Sequence, residues 1–127
     1  MKIFGVGTDI VKVSRIKNSL KKKLFLSKIF HQKEVLKCKK ILNCSNCFAK
    51  RFAAKEAFSK ALGTGIKKGI KFNEIIILNQ KSGKPYIKLV DKTKKKVENK
   101  LKKKKYKISL SLSDEKKYAL AFVTISI

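Results

Sequence analysis

The stretch from Asn46 to Leu62 constrains this chain more than any other, because it reads as a helix with two packed sides. At steps of about 100° per residue, Phe48, Phe52, Phe58 and Leu62 fall on one side and Ala49, Ala53, Ala57 and Ala61 on another. The aromatic side suits a core. The alanine side lets a second backbone, or a ligand, come close. Such a helix has little room for purely solvated charge, yet it carries Arg51, Lys55, Glu56 and Lys60. Some of these charges therefore belong to a site. Gly63 is well placed to stop the helix.

The flanking sequence supplies strands as well as helices. Ile3 to Ile10 is short, apolar and glycine-containing, which predicts a buried strand ending near Asp9. Val13, Ile16 and Leu20 recur at helical spacing. Leu24 to Ile41 predicts one or two further helices, with Leu24, Ile29, Val35, Leu36 and Ile41 as core candidates, before a polar break at Asn43 to Asn46. Phe72 to Leu78 and Tyr86 to Val90 read as hairpin partners about the turn Ser82-Gly83-Lys84-Pro85. Asp91 to Leu101 is expected to be a surface helix, with strands at Lys107 to Leu112 and Tyr118 to Ile125 closing the chain. Helices with mainly hairpin-connected strands predict an α+β fold, a largely antiparallel sheet packed with helices, and 127 residues suit one domain over 1–127.

The formal charge of +26 predicts attraction to polyanions: nucleic acid, anionic membrane, acidic protein or phosphorylated small molecules. It does not choose among them. Nearly all of that charge is lysine, only Arg15 and Arg51 are arginines, and Trp is absent, a composition that an A- and T-rich genome would write. Lysine runs alone thus say little about function. The Cys44–Cys47 spacing fits a zinc site, but Cys38 and His31 are loosely placed and give no second close pair, so the three cysteines are expected as free thiols in a reducing cytosol. No secretory start and no apolar run of about 20 residues is present, so a soluble, cytoplasmic protein is expected.

Glu56 and Lys60 are four apart and can form an ordinary exposed ion pair. They also lie one turn before Gly63-Thr64-Gly65, where glycines let backbone approach phosphate and basic side chains can neutralise it. Asp9 has two readings, a cap for the following helix or a ligand. Paired with Glu56 it would give magnesium two hard oxygen ligands, leaving other positions to water and substrate phosphate. Two of only eight acidic residues beside glycines and lysines favour the metal.

GVGTDIVKVSRI at the N-terminus and KRFAAKEAFSKALGTGI in the middle resemble the two signature segments of bacterial holo-acyl-carrier-protein synthases, the small phosphopantetheinyl transferases. SGKPYI and SDEKKYALAFVTI extend the resemblance over essentially the whole chain. It implies a trimer, with coenzyme A in clefts between subunits and an acidic acyl carrier protein docked alongside. It implies transfer of the 4′-phosphopantetheine arm of coenzyme A to a carrier serine for fatty acid biosynthesis, leaving adenosine 3′,5′-bisphosphate. By position, Asp9 and Glu56 would hold catalytic magnesium, Lys60 would act with them, Arg51, Lys55, Lys60, Gly63 and Gly65 would line the coenzyme A site, and Arg15 would grip the carrier. Many relatives carry a histidine where this chain has Asp114 in Ser111-Leu112-Ser113-Asp114, which leaves no side-chain general base assigned. A competing reading, a small basic RNA-binding protein, explains the charge equally well but not Asp9 with Glu56. Membrane and specific nucleic acid are not expected partners.

Overall fold

The computed structural model describes residues 1–63 and 69–127. Strand β1 (Ile3–Lys12) leads into α1 (Val13–Ser19), α2 (Lys23–Ile29), α3 (Gln32–Lys39) and the long α4 (Cys44–Leu62). A 3₁₀ turn at Phe72–Glu74 then opens β2 (Ile75–Asn79), followed by β3 (Pro85–Leu89), α5 (Asp91–Leu101), β4 (Lys107–Asp114) and β5 (Tyr118–Ser126). The strands form two antiparallel sheets, β1-β5-β4 and β2-β3. The α+β expectation holds. No helix described is long and apolar enough to cross a membrane.

Helix α4 is the axle of the fold, and its alanines explain why. Strand β1 crosses it so closely that a Cβ on Gly5 would be built onto the carbonyl oxygen of Ala61, and one on Gly7 onto that of Ala57. Alternate residues of a strand share a face. Gly5, Gly7, Asp9 and Val11 consequently all turn to the helix side, opposite Ala121 and Ala119 of β5 in the register Asp9–Ala121 and Val11–Ala119. Small residues from strand and helix meet here, and Ala119, Ala121, Val123 and Ile125 are fully buried beneath them.

The aromatic side of α4 holds the other half of the core. Phe52 stacks on Phe25 and meets Phe72 edge-on, and Phe48 meets Phe30 with ring centres 4.8 Å apart. The chain breaks between α2 and α3 because His31 and Glu34 form a capping box: His31 Nδ1 accepts from Lys33 N, and His31 N donates to Glu34 Oε1 at 3.0 Å.

Three expectations need correction. Asp9 is not at the end of its strand but well inside it, so it caps nothing. Of the core candidates in 24–41, Leu24, Leu36 and Ile41 are exposed, while Phe30, Glu34 and Cys38 are buried instead. The amphipathic stripe is set by the short, separate helices α2 and α3 rather than by one continuous period. Finally, Cys38 and Cys47 are joined in a disulfide that ties α3 to α4, where free thiols were expected, and Cys44 alone keeps its thiol. The packing of α3 against α4 brings those two Cα atoms to 5.5 Å, a separation that a disulfide spans.

Candidate active site

The glycine-lined crossing delivers Asp9 to the exposed flank of α4, where Lys60 waits. Lys60 Nζ donates to Asp9 Oδ1 at 3.1 Å and to the Thr8 carbonyl at 3.0 Å. Asp9 is largely buried, whereas Lys60 remains about half exposed and thus open to a ligand. One turn earlier on the same flank stands Glu56, partly buried. Burial, then the nearby negative charge of Asp9, raise its pKa, while Lys60 and Arg15 oppose the rise. Two carboxylates that feel one another across a helix–strand contact, one of them paired with Lys60, form an anionic point on an otherwise basic surface.

That donor set fits magnesium. Both ligands are hard oxygens, and magnesium is commonly held by one or two carboxylates with water and phosphate completing its octahedron. Among the described residues no group of three or more His, Cys, Asp or Glu side chains gathers anywhere, so a closed all-protein cage is not offered.

Lys55, expected beside phosphate, is elsewhere. It is fully buried, and its ammonium gives its three protons to Glu34 Oε1 at 2.7 Å, Phe72 O at 2.7 Å and Ile75 O at 2.5 Å. Glu34 completes the network by accepting from Ile77 N at 3.1 Å. Lys55 points opposite to Lys60 because five residues turn a helix by about 140°. It is therefore an internal strut joining α3, α4 and β2, not a ligand group of this chain's own surface.

Arg51 lies on that opposite side too, 4% exposed, at the wall of a cavity of about 300 Å³. Its Nη2 donates to Asn79 Oδ1 at 3.0 Å and its Nη1 to Cys47 O and Cys47 Sγ, while its Nε has no partner among the described residues. Lys37 Nζ donates to the same Asn79 oxygen at 2.6 Å. Burial lowers the pKa of both cations, and the charge of Arg51 lowers that of Lys37 further, while Glu34 acts in the opposite direction on Arg51. Two mutually repelling cations sharing one neutral oxygen make a pocket ready for an anion. Its far wall holds Asp114, which accepts from Asn46 Nδ2 at 3.0 Å and faces Lys50 at 3.5 Å.

The structure thus brings together Asp9, Glu56 and Lys60, places Arg15 on exposed α1 within electrostatic reach of Glu56, and sets Arg51 apart on the far side of α4. Gly63 ends α4 in the left-handed conformation, φ 83°, with open space where a side chain would be. Gly65 falls outside the described residues. Lys37, Asn79 and Glu34 escaped the sequence reading. For Glu34 a signal existed, since a glutamate three residues after a capping residue marks a capping box. Lys37 is one lysine among many.

A family model described as the 4′-phosphopantetheinyl transferase superfamily matches residues 5–123. A holo-[acyl-carrier-protein] synthase from Pelagibacter ubique is 47% identical over 125 residues, covering 98% of each chain. Among solved structures, a synthase of the same description from Neisseria meningitidis superposes with a TM-score of 0.86 at 38% identity, covering 98% of this chain and 99% of that one. Another from Bacillus anthracis, in complex with CoA (3′,5′-ADP), gives 0.81 at 32% identity, with 99% and 98% covered.

Proposed function

The chain belongs to the 4′-phosphopantetheinyl transferase superfamily, as a member of its holo-acyl-carrier-protein synthase type, and we propose how its own residues carry out the transfer of phosphopantetheine from coenzyme A to apo acyl carrier protein. The observation that carries the proposal is the meeting of Asp9, Glu56 and Lys60 where β1 crosses α4.

Asp9 and Glu56 would hold the magnesium ion. Bound there, it would neutralise the coenzyme A pyrophosphate and lower the repulsion that an incoming oxygen meets. Lys60, held by Asp9 and the Thr8 carbonyl but still half exposed, is aimed to stabilise charge gathering on the leaving phosphate. The carrier serine hydroxyl attacks the β-phosphorus, a new P–O bond forms, and the bond to the α-phosphate oxygen breaks, releasing adenosine 3′,5′-bisphosphate. A water oriented by a carboxylate accepts the serine proton. Little of this is covalent work by the protein, and positioning with charge neutralisation accounts for most of it.

The Asp9–Glu56–Lys60 edge and the Arg51–Lys37 pocket lie on opposite flanks of α4, so a donor reaching both within one chain would have to wrap around the helix. Their separation supports a site shared by neighbouring subunits, with Asp9, Glu56 and Lys60 from one and the Arg51–Lys37 pocket from the next, the latter taking the bisphosphate end of the donor. A surface for assembly exists. The outer face of the β1-β5-β4 sheet carries exposed Val6, Ile10, Leu120 and Phe122, adjacent in register as Ile10–Leu120. Apolar residues on a sheet face turned away from the core support burial against a copy of the same chain, and a trimer is the assembly proposed. Arg15, exposed on α1 beside Glu56, is suited to an acidic carrier arriving at the metal edge, and the cytoplasm is where the enzyme would meet both substrates.

The decisive experiment incubates the protein with apo carrier, coenzyme A and magnesium and weighs the carrier. A phosphopantetheine mass gain that disappears with chelator supports the scheme. No gain, with tight salt-sensitive RNA binding instead, would replace it.

A further inference from the structure

The disulfide between Cys38 and Cys47 sits against the residues of the Arg51 pocket. Cys38 follows Lys37 directly, and Cys47 lies one turn before Arg51, whose Nη1 donates to both the carbonyl oxygen of Cys47, at 3.3 Å, and its sulfur, at 3.2 Å. The bond therefore ties together the two elements, α3 and α4, that bring Lys37 and Arg51 to the one oxygen of Asn79. Both bridged cysteines are buried, Cys38 wholly and Cys47 to 4% exposure, with Cys47 reaching the cavity wall. Cys44, the remaining thiol, is partly exposed and opens the first turn of α4, three residues before Cys47 and so on a neighbouring part of the helix surface.

We propose that Cys44, Cys47 and Cys38 form a thiol–disulfide relay that sets the affinity of the Arg51 pocket for the bisphosphate end of coenzyme A. The proposal rests on the reading of that pocket as the donor's phosphate site. In the oxidised chain the two cations are held at a fixed separation, and Arg51 has only a bridged sulfur and neutral oxygens as partners, so it keeps its full charge for an anionic ligand. Reduction removes the tether. It also leaves Cys47 as a free sulfur beside a guanidinium, an environment that stabilises the thiolate, and a thiolate there competes with phosphate for Arg51. Both consequences act in one direction: the reduced chain binds the donor more weakly.

Cys44 gives the buried bond a route to solvent. Its thiolate attacks Cys47 Sγ, a Cys44–Cys47 bond forms, the Cys38–Cys47 bond breaks, and Cys38 leaves as thiolate and takes up a proton. A small dithiol from solution then attacks the accessible Cys44 sulfur. The dithiol closes to its own disulfide, and Cys44 and Cys47 are left as thiols. In sum one dithiol is oxidised, one protein disulfide is reduced, and two electrons and two protons pass between them.

The test uses the whole chain, oxidised by glutathione disulfide or reduced by dithiothreitol, with thiols counted by alkylation and mass and adenosine 3′,5′-bisphosphate binding followed by calorimetry. The oxidised form should bind about tenfold tighter, the value of a charge-assisted hydrogen bond or its loss. Cys38→Ser/Cys44→Ser, which leaves Cys47 no partner to bridge, should bind like the reduced wild type and ignore reductant. Cys44→Ser should match the oxidised affinity but lose its disulfide at least about tenfold more slowly, since direct attack on a buried sulfur is hindered. Equal affinity of the two wild-type forms, or two extra alkylatable thiols after oxidation, overturns the relay while leaving the transferase intact. Absence of bisphosphate binding in both forms, together with normal transfer to the carrier, overturns the pocket assignment and the relay with it.

Discussion

Lys60 Nζ stands 3.1 Å from Asp9 Oδ1 beside the crossing where the β1 and α4 backbones nearly touch, which makes the geometry of the proposed catalytic edge a property of that crossing. Asp9→Asn and Glu56→Gln keep the shape of each side chain and remove a carboxylate charge from the proposed metal site. Each should lower turnover at least about 100-fold, the order seen when one preorganised electrostatic group is lost, without changing the far-ultraviolet dichroism. Near-normal turnover at saturating magnesium in either variant would remove that residue from the metal site.

The same crossing predicts a stability effect at a residue that does no chemistry. Gly7→Ala places a methyl group onto the Ala57 carbonyl oxygen, and a helix backbone has no rotamer with which to give way. The variant should lose about 3 kcal/mol or more of stability in urea unfolding. Gly83→Ala is the informative contrast: it meets no neighbour and suffers only from its φ of 93° in the β2–β3 turn. Equal losses in the two would mean that the close approach at Gly7 costs no more than the left-handed φ at Gly83.

The sequence showed the two-sided helix because it depends on local spacing, whereas the pairing of Asp9 with Glu56, far apart in the chain, rested on the scarcity of carboxylates beside glycines and lysines and on the family resemblance. Helix α5 could be bounded at Asp91 and Leu101 from local pattern too, and its buried Thr93, Val97 and Leu101 recur every four residues. Lys55 could not be placed. Its position in the middle of the aromatic stripe pointed to the core side, but its partner Glu34 is 21 residues away and comes from a separate helix, so its role as an internal strut could not be read. The disulfide was invisible for a similar reason, since only the packing of α3 on α4 brings Cys38 to Cys47 rather than to Cys44.

Lys55 has a pH signature of unusual sign. Burial, only partly offset by Glu34, lowers its pKa to about 8 from the ordinary 10.5. Between those two values the unfolded chain binds a proton that the folded chain has released, so the contribution of this residue to stability rises with pH over that window. Against a Glu34→Gln/Lys55→Met double variant, the wild type should gain stability between pH 8 and pH 10.5 in denaturant titrations. A relative loss over the same range would mean that the pair with Glu34 outweighs burial.

Arg15 and Arg51 are the only arginines in a lysine-rich chain, and the structure gives them different surroundings. Arg51→Lys keeps the charge but cannot reach Asn79 and Cys47 together, so the Michaelis constant for coenzyme A should rise about tenfold. Arg15→Lys should instead raise the constant for the carrier protein. Replacing Lys103 by Gln in the exposed segment after α5 should change neither beyond a small salt-dependent amount. Unchanged constants in both arginine variants would return them to the general basic surface.

The outer face of the β1-β5-β4 sheet offers the sharpest test of assembly, because its apolar residues lie far from every core contact described above. Phe122 is 44% exposed in the isolated chain and pairs in register with Thr8 on one side and Ser111 on the other, in the middle strand of the sheet. Its ring contributes nothing to the monomer core, so Phe122→Lys should leave the fold and the secondary-structure signal intact. If three copies bury this face against one another, a lysine there sets three like charges in a closed apolar centre, a cost that desolvation makes severe. Light scattering should then report a monomer where the wild type reports a trimer. Turnover should fall with it, because Arg51 of one subunit would no longer reach the donor held at Asp9 and Glu56 of the next. Mixing Phe122→Lys with wild type should give no more activity than the wild type present supplies. A mixture of Asp9→Asn and Arg51→Ala, each inactive alone, should recover part of it by joining an intact half-site from each. A Phe122→Lys protein that is monomeric yet fully active would confine the whole site to one chain.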